Sequence, residues 1–135
     1  MSVHVGVGVI IEREGKILLQ KRCGGFQPKW SIPGGMVDKC EHFEETATRE
    51  IMEECGIELV DPSVVGLTNN VASFHEESLH GASVILHTKE FKGEPKIMEP
   101  TKCEELRWVD PKDLPEPHFD GSEKGIKSWL ENRFY

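Results

Sequence analysis

Positive charge is in short supply in this chain. Sixteen lysines and arginines face 24 aspartates and glutamates over 135 residues, a formal net charge of −8. That balance argues against a nucleic-acid backbone or an anionic membrane as partner. Cysteines are few as well: Cys23, Cys40, Cys55 and Cys103 make no CxxC pair and no zinc spacing. Free thiols in a reducing cytoplasm are the expectation. Long apolar runs and a signal-peptide pattern are both missing, so the chain reads as a soluble cytoplasmic protein. There is no G-x-x-x-x-G-K-[ST] stretch, and no Ser/His/Asp order or Cys/His pairing to supply a covalent nucleophile. What is left is one domain, residues 1–135, with 37% hydrophobic and 30% charged residues, long enough to bury a core.

The stretch from Gly35 to Ile57 carries the most information. Phe43, Ala47, Ile51 and Cys55 recur at every fourth residue, which predicts an amphipathic helix, and Gly56 follows as its left-handed cap. At about 100° of rotation per residue, Glu50, Glu53 and Glu54 share an arc roughly 100° wide beside the apolar stripe. Three carboxylates at the margin of a core cannot all be fully solvated. Two readings stay open on the helix alone. One is a solvated acidic face, whose like-charge pairs cost only about a few tenths of a kcal/mol each. The other is a divalent cation, because Mg²⁺ seeks oxygen ligands and offsets the repulsion.

The flanks add a pattern, G-x5-E-x7-R-E-U-x-E-E-x-G-U with U a bulky apolar residue. Gly35, Glu41, Arg49, Glu50, Ile51, Glu53, Glu54, Gly56 and Ile57 fill every fixed position. With this composition a chance match has odds on the order of one in a million. The stretch is the signature of the Nudix hydrolases, and the chain resembles that superfamily. Glu94 to Pro117 (EPKIMEPTKCEELRWVDPKDLPEP), with Thr68-Asn69-Asn70-Val71, resembles its MutT-type nucleoside triphosphate pyrophosphohydrolases.

The resemblance implies the site residue by residue. Glu50, Glu53 and Glu54 match the metal-binding glutamates, and one of them, or a glutamate from another loop, serves as general base in different members. Arg49 matches the arginine that holds a neighbouring glutamate, and Glu41 the acid that ties the loop to the helix. The carbonyl of Gly35 can complete the shell of a Mg²⁺ (or Mn²⁺) ion. A further metal-site glutamate follows a G-E-P stretch in MutT-type members. Gly93-Glu94-Pro95 makes Glu99 the candidate here, with Glu104 and Glu105 in reserve. One departure concerns the turn before the helix: many members carry glycine just before the first motif glutamate, where this chain has Cys40.

Taken in order, the chain predicts a hairpin of Val3–Glu12 and Lys16–Arg22, then a loop from Cys23 to Lys29. Lys21, Arg22 and Lys29 are candidate phosphate contacts. Trp30 to Ile32 is extended, and Gly34-Gly35 is expected to turn with positive φ. Beyond the helix, strands are predicted at Glu58–Leu67 (broken at Pro62), Val71–Phe74, Ala82–Phe91 and Leu106–Val109. His75 to Gly81 is a polar loop at the edge of the ligand pocket, with His75 and His80 as ordinary loop residues. Ser122 N-caps a last helix, to Arg133, with Ile126, Trp129 and Leu130 inward. This order describes an α+β fold. It agrees with what the resemblance implies, the Nudix fold with a mixed β-sheet sandwiched between helices.

A phosphoanhydride resists attack because its oxygens repel nucleophiles, and clustered carboxylates with a metal remove that obstacle. Proline is absent between Pro62 and Pro95, where ADP-ribose hydrolases usually carry one. With one tyrosine and three tryptophans, the chain shows no obvious second stacking surface for a ligand with two bases, although a homodimer would supply one. The reading is Mg²⁺-dependent hydrolysis of a nucleoside diphosphate derivative, chiefly a (deoxy)nucleoside triphosphate to monophosphate and pyrophosphate. ADP-ribose or another nucleotide sugar, and a non-hydrolytic nucleotide sensor, are the alternatives.

Overall fold

Eight consecutive residues of the first strand, His4 to Ile11, hold five valines and isoleucines and only two glycines, and this run becomes the centre of the sheet. The computed structural model describes residues 2–24, 28–71 and 80–135. Its strands are β1 (His4–Arg13), β2 (Lys16–Arg22), β3 (Lys29–Ser31), β4 (Gly34–Met36), β5 (Glu58–Val60), β6 (Ser63–Asn70), β7 (Gly81–Thr88), β8 (Glu90–Lys92) and β9 (Cys103–Val109). Its helices are α1 (Phe43–Cys55) and α2 (Asp120–Leu130). β1 runs parallel to β7 over His4–Ile11, and β7 pairs antiparallel with β6, so the sheet is mixed. On its other edge β1 pairs with β4 through Gly6–Gly8 and then with β2 through Glu12 and Arg13. β2 continues into β3 and β9, while β5 and β8 make a separate two-stranded ribbon. The hairpin turn at Glu14-Gly15 has φ of 53° and 78°, the left-handed pair that matches strand twist.

Alternation along the strands splits the core in two. Val7, Val9, Ile11, Leu18 and Leu86 pack on Ala47, Ile51 and Cys55 of α1. Ile10, Ile17, Leu19 and Ile85 pack with Trp30 and Ile126 of α2. The sheet therefore lies between the two helices, as the sequence led us to expect.

Several local expectations are corrected. Gly34 and Gly35 do not turn with positive φ; they form β4. They are small because backbone and side chain come too close for anything else: a Cβ on Gly34 would overlap the carbonyl oxygen of Val7, and one on Gly35 the carboxylate of Glu50. Ser122 lies inside α2, whose N-cap is Phe119; its hydroxyl instead accepts the Ile32 N–H at 2.9 Å and bonds His118 Nε2 at 2.8 Å. Small buried residues (Gly121, Ser122, Gly125 and Ser128) give α2 its inner face, and Leu130 is exposed. Phe43 is likewise exposed, and Thr46 is fully buried beside the predicted stripe. The Ala82–Phe91 strand divides after Thr88, whose hydroxyl donates to Val60 O at 2.7 Å. The last strand starts at Cys103, three residues early, and β6 ends at Asn70. Of the predicted Val71–Phe74 strand and His75–Gly81 loop, residues 72–79 lie outside the described residues, as does the 25–27 part of the earlier loop.

Cys40 sits at φ 68°, in the left-handed region that favours glycine. Cys40→Gly should stabilise the fold by about 0.5–1 kcal/mol, the left-handed penalty less the extra chain entropy of glycine. Gly34→Ala should cost about 3 kcal/mol, since β1 and β4 must separate. Urea midpoints of the two variants against the parent check both signs.

Candidate active site

Arg49 is the hub of the site. Its Nε and Nη2 donate to the two oxygens of Glu41 at 2.8 and 3.0 Å, a fork-to-fork pair, while Nη1 donates to Glu50 Oε1 at 2.8 Å. Nη2 also reaches Met36 O at 3.2 Å and Asp38 Oδ2 at 3.3 Å, and Glu53 Oε2 stands 3.5 Å from Nη1. Glu41 accepts two more bonds, from Asp38 N and from the buried Thr46 hydroxyl, both at 2.9 Å. The Arg49 bonds, then the Asp38 N–H, hold the Glu41 carboxyl down at about 2. The same pairing, led by Glu41, holds the Arg49 guanidinium more firmly in its charged form. The loop before α1 is thus tied to the helix by charge, and α1 ends as expected, with Gly56 at φ 68° and its N–H on Met52 O.

Glu50 and Glu54 face the inside of a cleft. Glu50 is mostly covered, 16% exposed at its side chain, whereas Glu53 is 51% exposed. Burial, followed by the bond to and charge of Glu50, pushes the Glu54 carboxyl up to about 8. Gln20, a buried amide from β2, lines the same cavity as Glu54 and opposes that rise. Sequence reasoning missed it; the available signal was one amide in the apolar run Ile17-Leu18-Leu19.

Two adjoining cavities form the cleft. One of about 280 Å³ is lined by Glu50, Glu53, Glu54, Glu99, Gly35 and Lys102, among others. Glu99 therefore lines the same cavity as the carboxylate cluster despite its distance in sequence. The segment before it docks on the end of α1, with Lys96 N on Cys55 O at 3.0 Å and Met98 N on Glu54 O at 3.2 Å. Glu104 and Glu105 do not line it; Glu105 pairs with Arg107 at 2.7 Å. The second cavity, about 290 Å³, is walled largely by glycines, serines and apolar groups. Gln20, Arg22, Gly34, Gly35 and Met36 border both. Of the three predicted phosphate contacts only Arg22 lines the cleft; Lys21 instead lies 5.9 Å from the centre of the Trp30 ring. His80 bonds Asn69 Oδ1 at 2.6 Å, and His75 lies outside the described residues.

The donor set suits a hard cation: carboxylates and a backbone carbonyl, with two carboxylates held together where one of them is driven to keep a proton. Among the described residues no three acidic, histidine or cysteine side chains converge at ligating distance as placed. Arg49 bonds only Oε1 of Glu50 and approaches only Oε2 of Glu53, so each carboxylate keeps a second oxygen that the arginine does not bond.

A family model described as NUDIX domain matches residues 2–130. The chain belongs to the NUDIX domain family. An ADP-ribose pyrophosphatase of Methanocaldococcus jannaschii is 34% identical over 133 residues, covering 96% of this chain and 76% of that one. The nucleoside triphosphatase NudI of Escherichia coli (strain K12) is 31% identical over 121 residues, 82% of this chain and 83% of its own. Curated relatives are matched over 66–83% of their lengths. The crystal structure of a MutT NUDIX hydrolase from Burkholderia pseudomallei superposes with a TM-score of 0.87 at 32% identity, covering 94% of this chain and 98% of that one. The Nudix fold and a hydrolase of MutT-like type follow. Nudix hydrolases generally need a divalent metal. No helix among the described residues is long and apolar enough to cross a membrane.

Glu41 gives this Nudix domain a defined acid response. Its folded pKa lies below the unfolded value near 4.5, so its contribution is complete above that value and is lost as pH falls toward 2. Glu41→Gln should lower stability at pH 7 and flatten its dependence between pH 5 and pH 2. Denaturation midpoints across that window measure this, and equal slopes for both proteins would remove the linkage.

Proposed function

We propose that this Nudix domain, a single unit over residues 1–135, hydrolyses nucleoside triphosphates to monophosphate and pyrophosphate in the cytoplasm, with Mg²⁺ (or Mn²⁺) as its metal. The observation that carries this reading is the pair of adjoining cavities. A carboxylate-lined space of about 280 Å³ suits a metal-bound polyphosphate, and a space of about 290 Å³ with few charges suits one nucleoside. The tryptophans offer no second ring platform in the cleft: Trp30 is buried, Trp108 stacks on Phe91 beneath Arg13, and Trp129 packs on His87. A net charge of −8 favours reaching phosphate through a metal over a long basic groove.

Glu50, Glu53, Glu54 and Glu99, with the Gly35 carbonyl, would hold the metal. When bound, it neutralises phosphate oxygens and makes water acidic enough to ionise near neutral pH. The chain's own residues then have distinct tasks. Arg49, clamped by Glu41, sets the direction of Glu50. Glu54, on the cleft wall beside Gln20, takes the proton as the water oxygen bonds to phosphorus and the bridging phosphate oxygen leaves. Arg22 and Lys102, on the cleft walls, add charge toward the phosphates. The ADP-ribose pyrophosphatase relative favours a second reading, cleavage of ADP-ribose. A non-hydrolytic sensor is disfavoured because the motif keeps every fixed residue.

Glu54→Gln should lower kcat by about 10²- to 10⁴-fold with an unchanged melting curve. Chelator should abolish turnover, and Mg²⁺ or Mn²⁺ should restore it. Full activity of the variant, or in excess chelator, would remove the metal site. Steady-state kinetics across the nucleoside triphosphates and ADP-ribose test the substrate. A higher kcat/KM for ADP-ribose than for every triphosphate would transfer the assignment to the second reading.

A further inference from the structure

Asn70 closes β6 in the wall of the cavity with few charges, and it is only 3% exposed. A buried amide has to satisfy its bonding capacity nearby. The Thr68 hydroxyl donates to Asn70 Oδ1 at 2.8 Å, and Asn70 Nδ2 donates to Ser83 Oγ at 2.9 Å. Gly121 of α2 lies directly against the group: a Cβ there would meet Oδ1, Cγ and Nδ2 at 2.5, 2.8 and 2.9 Å. The amide is held from two strands and a helix, so it keeps one orientation.

A primary amide has two donor hydrogens and two acceptor lone pairs. Thr68 and Ser83 use one of each, which leaves one donor and one acceptor. Exchanging the two ends of the amide leaves the same account, because each hydroxyl can give or receive. Ser122, another polar group on the cavity wall, is committed elsewhere, to Ile32 N and His118. A fixed donor beside a fixed acceptor complements a base edge bearing an acceptor next to a donor. A site built to bond such an edge rejects ligands that leave it unpaired.

We propose that Asn70, locked by Thr68 and Ser83, is the residue that selects the nucleobase. This rests on the nucleotide reading above, and it assigns to β6 and β7 a specificity separate from the chemistry on α1. Asn70→Asp is the sharpest variant. Its carboxylate still accepts both hydroxyl bonds, but it has lost the donor and presents acceptors alone. Guanine, with N1–H and N2–H side by side, then becomes the best-matched base.

The test is calorimetric binding of AMP, GMP, CMP and UMP to the full chain, a readout that needs no hydrolysis. The parent should separate its best and worst monophosphates by at least about fivefold, roughly 1 kcal/mol being the low end for one base-edge contact. Asn70→Asp should shift the GMP-to-AMP affinity ratio about tenfold toward GMP, and Ser83→Ala, which unlocks the amide, should narrow the parent's spread. Equal binding of all four by the parent, no binding of any, or variants that weaken all four by a common factor would each overturn the proposal. If Asn70→Asp does not fold, the parent's spread and Ser83→Ala still decide it. Absence of triphosphate turnover would sink the proposed reaction and leave these ratios as they are.

Discussion

The bidentate pair between Arg49 and Glu41 is the interaction on which the site depends. Without it, α1 would present Glu50, Glu53 and Glu54 as a repelling acidic face at the edge of a core. With it, one guanidinium joins the loop before the helix to the helix itself and turns Glu50 away from solvent. Glu41 can carry this load because its carboxylate is stabilised by two further donors, Asp38 N and the Thr46 hydroxyl. Thr46 is fully buried for that reason, although a threonine at this point of the helix breaks the apolar stripe.

The absence of side chains shapes the site as much as the charges do. Gly34 lets β4 lie directly on the Val7 carbonyl, and Gly35 leaves room for the Glu50 carboxylate against the backbone. Gly121 does the same for the Asn70 amide on the opposite wall. The cleft is where the sheet's centre is nearly stripped of side chains, between a helix that brings acids and a helix that packs through glycine and serine. Those same contacts make the cleft intolerant of added volume.

The helix, its cap and its carboxylate cluster were legible from Gly35 to Ile57 alone, because helical periodicity and capping are set within a few residues. Glu99 was legible only through resemblance, since nothing local to Gly93-Glu94-Pro95 points at α1; the bonds from Lys96 and Met98 to its last carbonyls do that. The reading of Gly34-Gly35 as a turn missed for a physical reason. Glycine signals either freedom of φ or lack of a Cβ, and the sequence does not distinguish the two. Ser122 misled in a similar way, because a serine near a helix start serves equally as a cap or as a buried bridge to another strand.

By itself the sequence determined the family, through a motif with every fixed position filled, and the helix that carries its acids, because their spacing is set by helical geometry. Only the tertiary structure decided what surrounds them. Gln20 from β2, Arg22, Glu99 and the Asn70–Ser83 pair meet at the cleft through strand pairings across the sheet and the docking of the Lys96–Glu99 segment. Such neighbours are fixed by the register of distant strands, which depends on how the two cores fill on either side of the sheet, and no local pattern records it.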